Sequence, residues 1–302
     1  MDTLSYWLEE FLGTQLALIE PVTKQSHRLN LRRFAEFLQH EPTIADLNER
    51  AVMGAVTWLR SRQFASVTVA KFKNHTARLW EYAWRKRAVE FGPTLPRVPI
   101  IRPDPVALTP DQCVAVWRII QLRDGWILNI PEKLWWSTLI GMLWASGERR
   151  GPLYKATWAE IDFANGLWNV PKEHRKGAGL GRARGMTYPL HRFPALMDLL
   201  RELKTYNHEL VWPIDVTPTT EYRYLAAIMV GAGLPDKRAW KYHCFRKTVA
   251  TLVEVLGEVG DSAKVMQWAD PSMRERYVDM RQMPVDGAAM RLPWIGDMRT
   301  TG

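Results

Sequence analysis

The chain has 302 residues, 47% hydrophobic and 24% charged, which excludes a disordered or fibrous protein and leaves material for two cores. Its formal net charge of +9 favours a polyanionic partner, a property that nucleic-acid, ribosomal and membrane-surface proteins share. Two cysteines, Cys113 and Cys244, are too few for a disulfide framework or a cysteine-based zinc site. No run approaches the roughly 18 apolar residues of a membrane span, and the start "MDTLSYWLEEFLG" lacks the basic start and apolar core of a secretory signal. A cytoplasmic, reducing setting and no membrane partner are therefore expected.

Residues 1–92 read as helices. In "SYWLEEFLGTQLALIE", Trp7, Leu8, Phe11, Leu12 and Leu16 recur at three- and four-residue steps and share one face. The next pattern, "VTKQSHRLNLRRFAEFLQH", does the same with Leu31, Phe34 and Leu38, and sets Lys24, Arg28, Arg32 and Arg33 elsewhere on its surface. Two more helices follow, around "NERAVMGAVTWLRSR" and "SVTVAKFKNHTARLWEYAWRKRAVEFG". The last carries Lys71, Lys73, Arg78 and Arg85, either as a solvated helix face or as a DNA-facing surface. His75 and Arg78 on this helix are read as helix surface only.

In "GPTLPRVPIIRPDP", Pro93, Pro96, Pro99, Pro103 and Pro105 remove the backbone donors that helix or sheet needs, so residues 93–108 are expected to form a stiff, extended linker. At "TPDQ" a helix restarts: Thr109 can cap it, Pro110 suits its first position and Gln112 can reach back to the cap. The second domain, residues 109–302, opens with helices through "VAVWRIIQLRD" and "EKLWWSTLIGMLWAS". Alternating apolar residues then flank Asn165-Gly166, a hairpin signal, and "MTYPL" reads as a third strand. Everything after His191 is helical in pattern. The expected class is mainly α with one small antiparallel sheet.

Several polar residues of this second domain suit phosphoryl chemistry. "ASGERRGPL" offers Arg149 and Arg150 where a helix ends. A Gly-rich basic loop, "PKEHRKGAGLGRARG", holds Lys172, Arg175, Lys176 and Arg182. His243 and Arg246, three residues apart in "KYHCFRKTVATLVEVLG", share one helix face. Trp268 and Tyr277 come last, in "QWADPSMRERYVDM", where Tyr277 taken alone reads as ordinary packing. Breaking a phosphodiester without a metal needs a nucleophile, cations on the non-bridging oxygens, a base and an acid for the leaving oxygen; this set contains all four.

In this order the boxes resemble those of the tyrosine recombinase (phage integrase) family. "SGERRGPL" is similar to the TGxRxxEL box and makes Arg149 the first catalytic arginine. "WNVPKEHRK" is similar to the strand-and-loop segment that holds the general-acid lysine, here Lys176. "HCFRKTVAT" is similar to the HxLRRTxAT box, giving His243 and Arg246. "QWADPSMRERYVDM" resembles the terminal GHxxxxxTxxxY box, with Trp268 in the His/Trp position and Tyr277 as nucleophile. Two departures stand out besides Trp268: Gln267 replaces the glycine, and Pro152 stands where the family has an acid, with Glu148 and Glu160 as candidates to supply that carboxylate.

The resemblance implies a helical (SAM-like) core-binding domain at 1–92, a catalytic domain from 109, and site-specific DNA recombination through a 3′-phosphotyrosyl link and a Holliday junction. It implies no cofactor and no metal, a homotetramer on double-stranded DNA, and a role in a mobile element. Lys71, Lys73, Arg78, Arg85, Lys172, Arg175 and Arg182 are the expected DNA contacts, and an accessory DNA-bending or directionality protein is left open. The stretch after Tyr277 reads either as a tail docking on a neighbouring protomer or as a disordered terminus. With no separate small domain before the first helix, arm-type DNA binding is not expected. Two rival readings share the fold or chemistry: a catalytically impaired DNA-binding protein, and a type IB topoisomerase-like enzyme.

Overall fold

The computed structural model describes residues 3–175, 177–181, 183–266 and 270–283. Lys176, Arg182 and Trp268 lie outside them, as do residues 284–302. The chain divides into two compact units, one of Met1–Pro103 with Gly179–Arg182, the other of the remainder from Asp104.

The first unit is built from four helices: α1 (Leu4–Thr14), α2 (Pro21–Leu38), α3 (Glu49–Ser61) and α4 (Ser66–Arg85). α1 buries Leu4, Leu8, Phe11 and Leu12, the face that the spacing predicts, against α2 and α4. Phe34, Phe72, Val52, Val69 and Leu59 fill the centre. Asn48 caps α3 by accepting the Ala51 N–H at 2.9 Å. One expectation needs correcting here. His75 is not simply helix surface: its ring stacks on buried His27, with centroids 3.7 Å apart, and its Nδ1 meets Asn30 Nδ2 at 2.8 Å. The reason is geometric, because α2 supplies an edge of polar residues, His27 and Asn30, where α4 crosses it.

The Pro-rich stretch carries no helix or strand, as its missing donors require. It is nonetheless fastened at both ends. Val98 is buried in the first core and Ser66 exchanges hydrogen bonds with Ile101 (2.8 and 2.9 Å). Further on, the Leu108 N–H donates to Thr248 Oγ1 at 2.8 Å in the second unit. At α5 (Pro110–Gln121) the capping box forms in both directions, Gln112 N–H to Thr109 Oγ1 and Thr109 N–H to Gln112 Oε1.

In the second unit, a short hairpin of β1 (Trp126–Ile127) and β2 (Ile130–Pro131) leads into α6 (Glu132–Ser146). α6 is apolar almost all round, the pattern of a central buried helix. Trp135, Trp136, Leu139 and Met142 have no exposed surface, and α5, α8 (Pro194–Lys204) and α10 (Tyr242–Leu256) pack around it. Two of the buried indole N–H groups find acceptors, Trp135 on the Pro213 carbonyl at 3.0 Å and Trp212 on Thr138 Oγ1 at 3.1 Å, while that of Trp136 has none among the described residues.

After the four-residue α7 (Arg150–Leu153), the strands β3 (Ile161–Asp162), β4 (Leu167–Val170) and β5 (Met186–Pro189) form one antiparallel sheet in the order β3-β4-β5. Trp168 pairs with Tyr188 and Val170 with Met186, and these four side chains are buried. The hairpin at Asn165-Gly166 forms with a longer loop than a two-residue turn, since Asp162 pairs with Leu167. The cause is the Asp162 carboxylate, which accepts the Ala164 and Asn165 N–H groups at 3.0 Å and opens the connection to four residues. α9 (Pro218–Gly231), α11 (Asp261–Val265) and α12 (Arg274–Tyr277) complete the described helices. None of these helices is long and apolar enough to cross a membrane.

Candidate active site

The site begins where α6 stops. Gly147 adopts φ +58°, a left-handed conformation that costs other residues roughly 1–2 kcal/mol, and its N–H closes the helix on the Leu143 carbonyl. A Cβ there would lie 2.4 Å from Met266 Cε. This turn sends Glu148 inward and sets Arg149 in an extended conformation just before α7. Glu148 is 1% exposed. Its Oε2 accepts the Tyr188 hydroxyl at 2.5 Å and Arg175 Nη2 at 3.3 Å. Burial, then the Glu148 charge, pushes the Tyr188 phenol well above its ordinary range.

Of the two carboxylates that the sequence offers in place of an acid at 152, Glu148 is the one beside the cations. Pro152 is buried in α7. Glu160 instead accepts the Thr157 N–H at 3.1 Å and the Trp168 indole at 3.3 Å.

α10 brings its first two turns to the same place. Arg246 is 2% exposed and donates through Nη1 to the Gly147 carbonyl, so the left-handed turn and the arginine hold each other. Burial, then the neighbouring charge of Arg149, lowers the Arg246 pKa, without approaching the range in which a guanidinium loses its proton. Packing around the His243 imidazole, together with Lys247, Arg246 and Arg149, lowers it to about 4. The ring is therefore neutral at pH 7, although the residue keeps an exposed side. Lys247, pushed down chiefly by burial, also faces Tyr277 and Asp279.

Tyr277 is 5% exposed and packs with Val249, Ala250, Met266 and Val278, so the packing role is real. Its ring also lies 5.2 Å from that of His243 and 5.0 Å from Arg246 Cζ, and its side chain hydrogen-bonds Arg246. A four-residue helix cannot hold such a residue unaided. Upstream, Arg274 Nε donates to Glu254 Oε2 at 2.7 Å, and the fully buried Glu254 also accepts the Gly260 N–H and the Ser262 hydroxyl. Downstream, the Asp279 N–H donates to Thr251 Oγ1 at 2.9 Å, and its carboxylate accepts the Ala107 N–H and Arg281. Both tethers end on α10 or on residues packed against it, so the helix that carries His243 and Arg246 also fixes the tyrosine.

Arg149, His243, Arg246 and Tyr277 are thus brought together. Among the described residues Arg149 has no ion pair, and buried Arg246 Nε and Glu148 Oε1 have no hydrogen-bond partner. Unpaired buried polar atoms of this kind call for a ligand or another explanation. Lys176 and Trp268 fall outside the described residues, so their places in the constellation are not described. Of the expected DNA contacts, Lys71, Arg78, Arg85 and Lys172 are exposed. Arg85 also pairs with Glu81 at 2.5 Å, and Lys73 reaches the Pro96 carbonyl at 3.3 Å. Arg175 is engaged by Glu148 and by the Arg184 carbonyl at 2.9 Å. Arg182 lies outside the described residues. Sequence reasoning missed Lys247, whose four-residue spacing from His243 was a usable signal, and the Glu254–Arg274 tether, whose partners are distant in sequence.

No family model and no curated protein matches the sequence. Solved structures do. A lambda integrase tetramer bound to a Holliday junction superposes with a TM-score of 0.71 at 14% identity, over 94% of this chain and 79% of that one. The Tn1549 transposon integrase in complex with transposon right end DNA gives 0.73 at 13%, over 95% and 98%. The XerH site-specific recombinase bound to a palindromic difH substrate gives 0.68 at 14%, over 89% and 80%. The chain has the tyrosine recombinase fold.

Proposed function

We propose that the protein is a site-specific DNA recombinase that cuts and rejoins DNA through Tyr277. The observation that carries this reading is the contact of Tyr277 with Arg246 and neutral His243, beside the charge of Arg149. Tyr277 Oη attacks the scissile phosphorus and forms a 3′-phosphotyrosyl bond while the bond to the 5′ oxygen breaks. His243 takes the phenolic proton, and Lys176 gives one to the departing 5′ oxygen. Arg149 and Arg246 balance the charge on the non-bridging oxygens, for which the planar guanidinium fork is suited; Trp268 donates its indole N–H to one of them. Attack by a 5′-hydroxyl from a second duplex reverses the first step, so the energy of the bond is kept and no ATP is consumed.

In this reading the first unit, through Lys71, Lys73, Arg78 and Arg85, and the loop with Lys172 and Arg182 grip the DNA backbone. Four protomers assemble on two duplexes and pass through a Holliday junction in the cytoplasm, with an accessory DNA-bending or directionality protein where the element requires one. The carboxylate of Glu148 takes the part left vacant by Pro152, which weakens the case for a catalytically impaired DNA-binding protein.

The test is cleavage of a nicked duplex spanning the ends of the protein's own element, in EDTA. Wild type should accumulate a protease-sensitive protein–DNA adduct, and Tyr277→Phe should bind the same DNA and form none. Tight binding without an adduct in wild type would refute the enzymatic reading.

A further inference from the structure

Beside the catalytic groups, but not among them, lies a closed polar cluster. Arg150 Nη1 donates to Glu221 Oε2 at 2.6 Å. The other oxygen of Glu221 accepts the Tyr154 hydroxyl at 2.5 Å, and that hydroxyl meets the Tyr242 hydroxyl at 3.0 Å. The guanidinium carbon of Arg150 sits 5.3, 5.0 and 5.7 Å from the ring centres of Tyr154, Tyr222 and Tyr242. Glu221 and Tyr242 are buried, at 4% exposed each, and Trp136 of the central helix stacks on Tyr242.

Its place in the chain gives the cluster its meaning. Arg150 directly follows Arg149, and Tyr242 directly precedes His243. Glu221, on α9, bridges the two sides. We propose that the Arg150–Glu221 pair within its tyrosine cage is a positioning device that fixes Arg149, just before α7, against His243 of α10, the two catalytic groups on either side of it. This inference rests on the recombinase reading.

Three physical arguments support it. α7 has four residues, too few to hold an orientation by its own hydrogen bonds, and it offers Pro152 where a carboxylate could otherwise have tied it down. An aromatic cage around a guanidinium fixes direction as well as distance, through the ring faces and the planar fork together. Glu221 is buried while Arg150 keeps part of its surface; such a pair adds little net stability over an apolar equivalent, yet removing Arg150 leaves the Glu221 charge buried and uncompensated, so its retention beside a reacting centre fits a geometric role. Arg150 is thereby withdrawn from the DNA. It acts through Arg149, and the two adjacent arginines divide the work, one on the phosphate and one on the scaffold.

The test compares Arg150→Met, Arg150→Lys, Glu221→Gln and Tyr154→Phe on the nicked duplex, with single-turnover cleavage, DNA affinity and melting temperature measured on each full-length protein. Cleavage should fall at least tenfold in Arg150→Met and Glu221→Gln, with DNA affinity within twofold of wild type. Arg150→Lys, which keeps a cation in the cage but loses the planar fork, should recover only part of the rate. Tyr154→Phe, which preserves the ring and removes two hydrogen bonds, should fall between them. Wild-type cleavage rates in these variants would overturn the proposal, as would losses of rate that only track losses of affinity or melting temperature. If Arg150→Met does not fold, Glu221→Gln and Tyr154→Phe decide. Absence of an adduct in wild type would instead reject the recombinase reading itself.

Discussion

Glu254→Gln is the sharpest test of how Tyr277 is held. Glu254 has no exposed side-chain surface, while Arg274 keeps 26% of its own. The substitution removes the charge but not the shape, and turns an amide toward a guanidinium N–H that needs an acceptor. Breaking a wholly buried pair costs about 3–5 kcal/mol. Arg274 can turn to water, which places the cost here nearer 2–3 kcal/mol, in the range of hydrogen bonds to charged groups. For a unit of this size that is a fall in melting temperature of about 4–12 °C. The consequence for chemistry should be larger than for binding. With the upstream tether gone, α12 samples positions away from Arg246, and a tenfold loss of cleavage needs only about 1.4 kcal/mol of lost alignment. Scanning calorimetry and single-turnover cleavage of a nicked duplex measure the two effects. A variant that melts normally and cleaves at the wild-type rate would refute the tether.

Because His243 is lowered to about 4, it stays neutral down to that pH; the cleavage rate should be flat from pH 8 to about 5.5, where an ordinary imidazole would already be losing it near 6.5. Gly147→Ala should cost roughly 1–3 kcal/mol from its left-handed φ and the contact with Met266 and should depress cleavage, since the Arg246 acceptor moves with it. His27 and His75 are both lowered to about 4, first by burial and then by His75 and Arg78 for one, by Lys71 for the other. Each folded-state pKa lies below its unfolded value, so the stability is present above about pH 6.5 and is lost as pH falls toward 4. Discounted for the solvent that reaches the pair, the loss is about 1–2 kcal/mol per ring. His75→Phe, which preserves the stack but leaves His27 to titrate, should roughly halve the fall in melting temperature between pH 7 and 5.

The elements that were legible in the sequence are those whose causes are local. The Thr109–Gln112 capping box, the apolar periodicity of α1 and the alternation about Asn165-Gly166 each need only neighbouring residues. The hairpin loop length was not legible, because it turns on the Asp162 carboxylate capturing two N–H groups rather than on Asn-Gly alone. In the candidate site, Arg149, His243, Arg246 and Tyr277 were found from the order of their motifs, while the groups that orient them were not. Glu254 with Arg274, Tyr188 with Glu148 and Arg150 with Glu221 pair across 20, 40 and 71 positions, and no local spacing announces such partners. His75 misled for the same reason: its partners His27 and Asn30 lie on another helix.

The central claim is that Tyr277 becomes covalently joined to DNA. The direct measurement is to trap the adduct on a nicked duplex, digest the DNA and the protein, and locate the nucleotide-bearing peptide by mass spectrometry. The account predicts a 3′-nucleotide phosphate on Tyr277 and on no other residue. A nucleotide on any other side chain, or an adduct that persists in Tyr277→Phe, would contradict it.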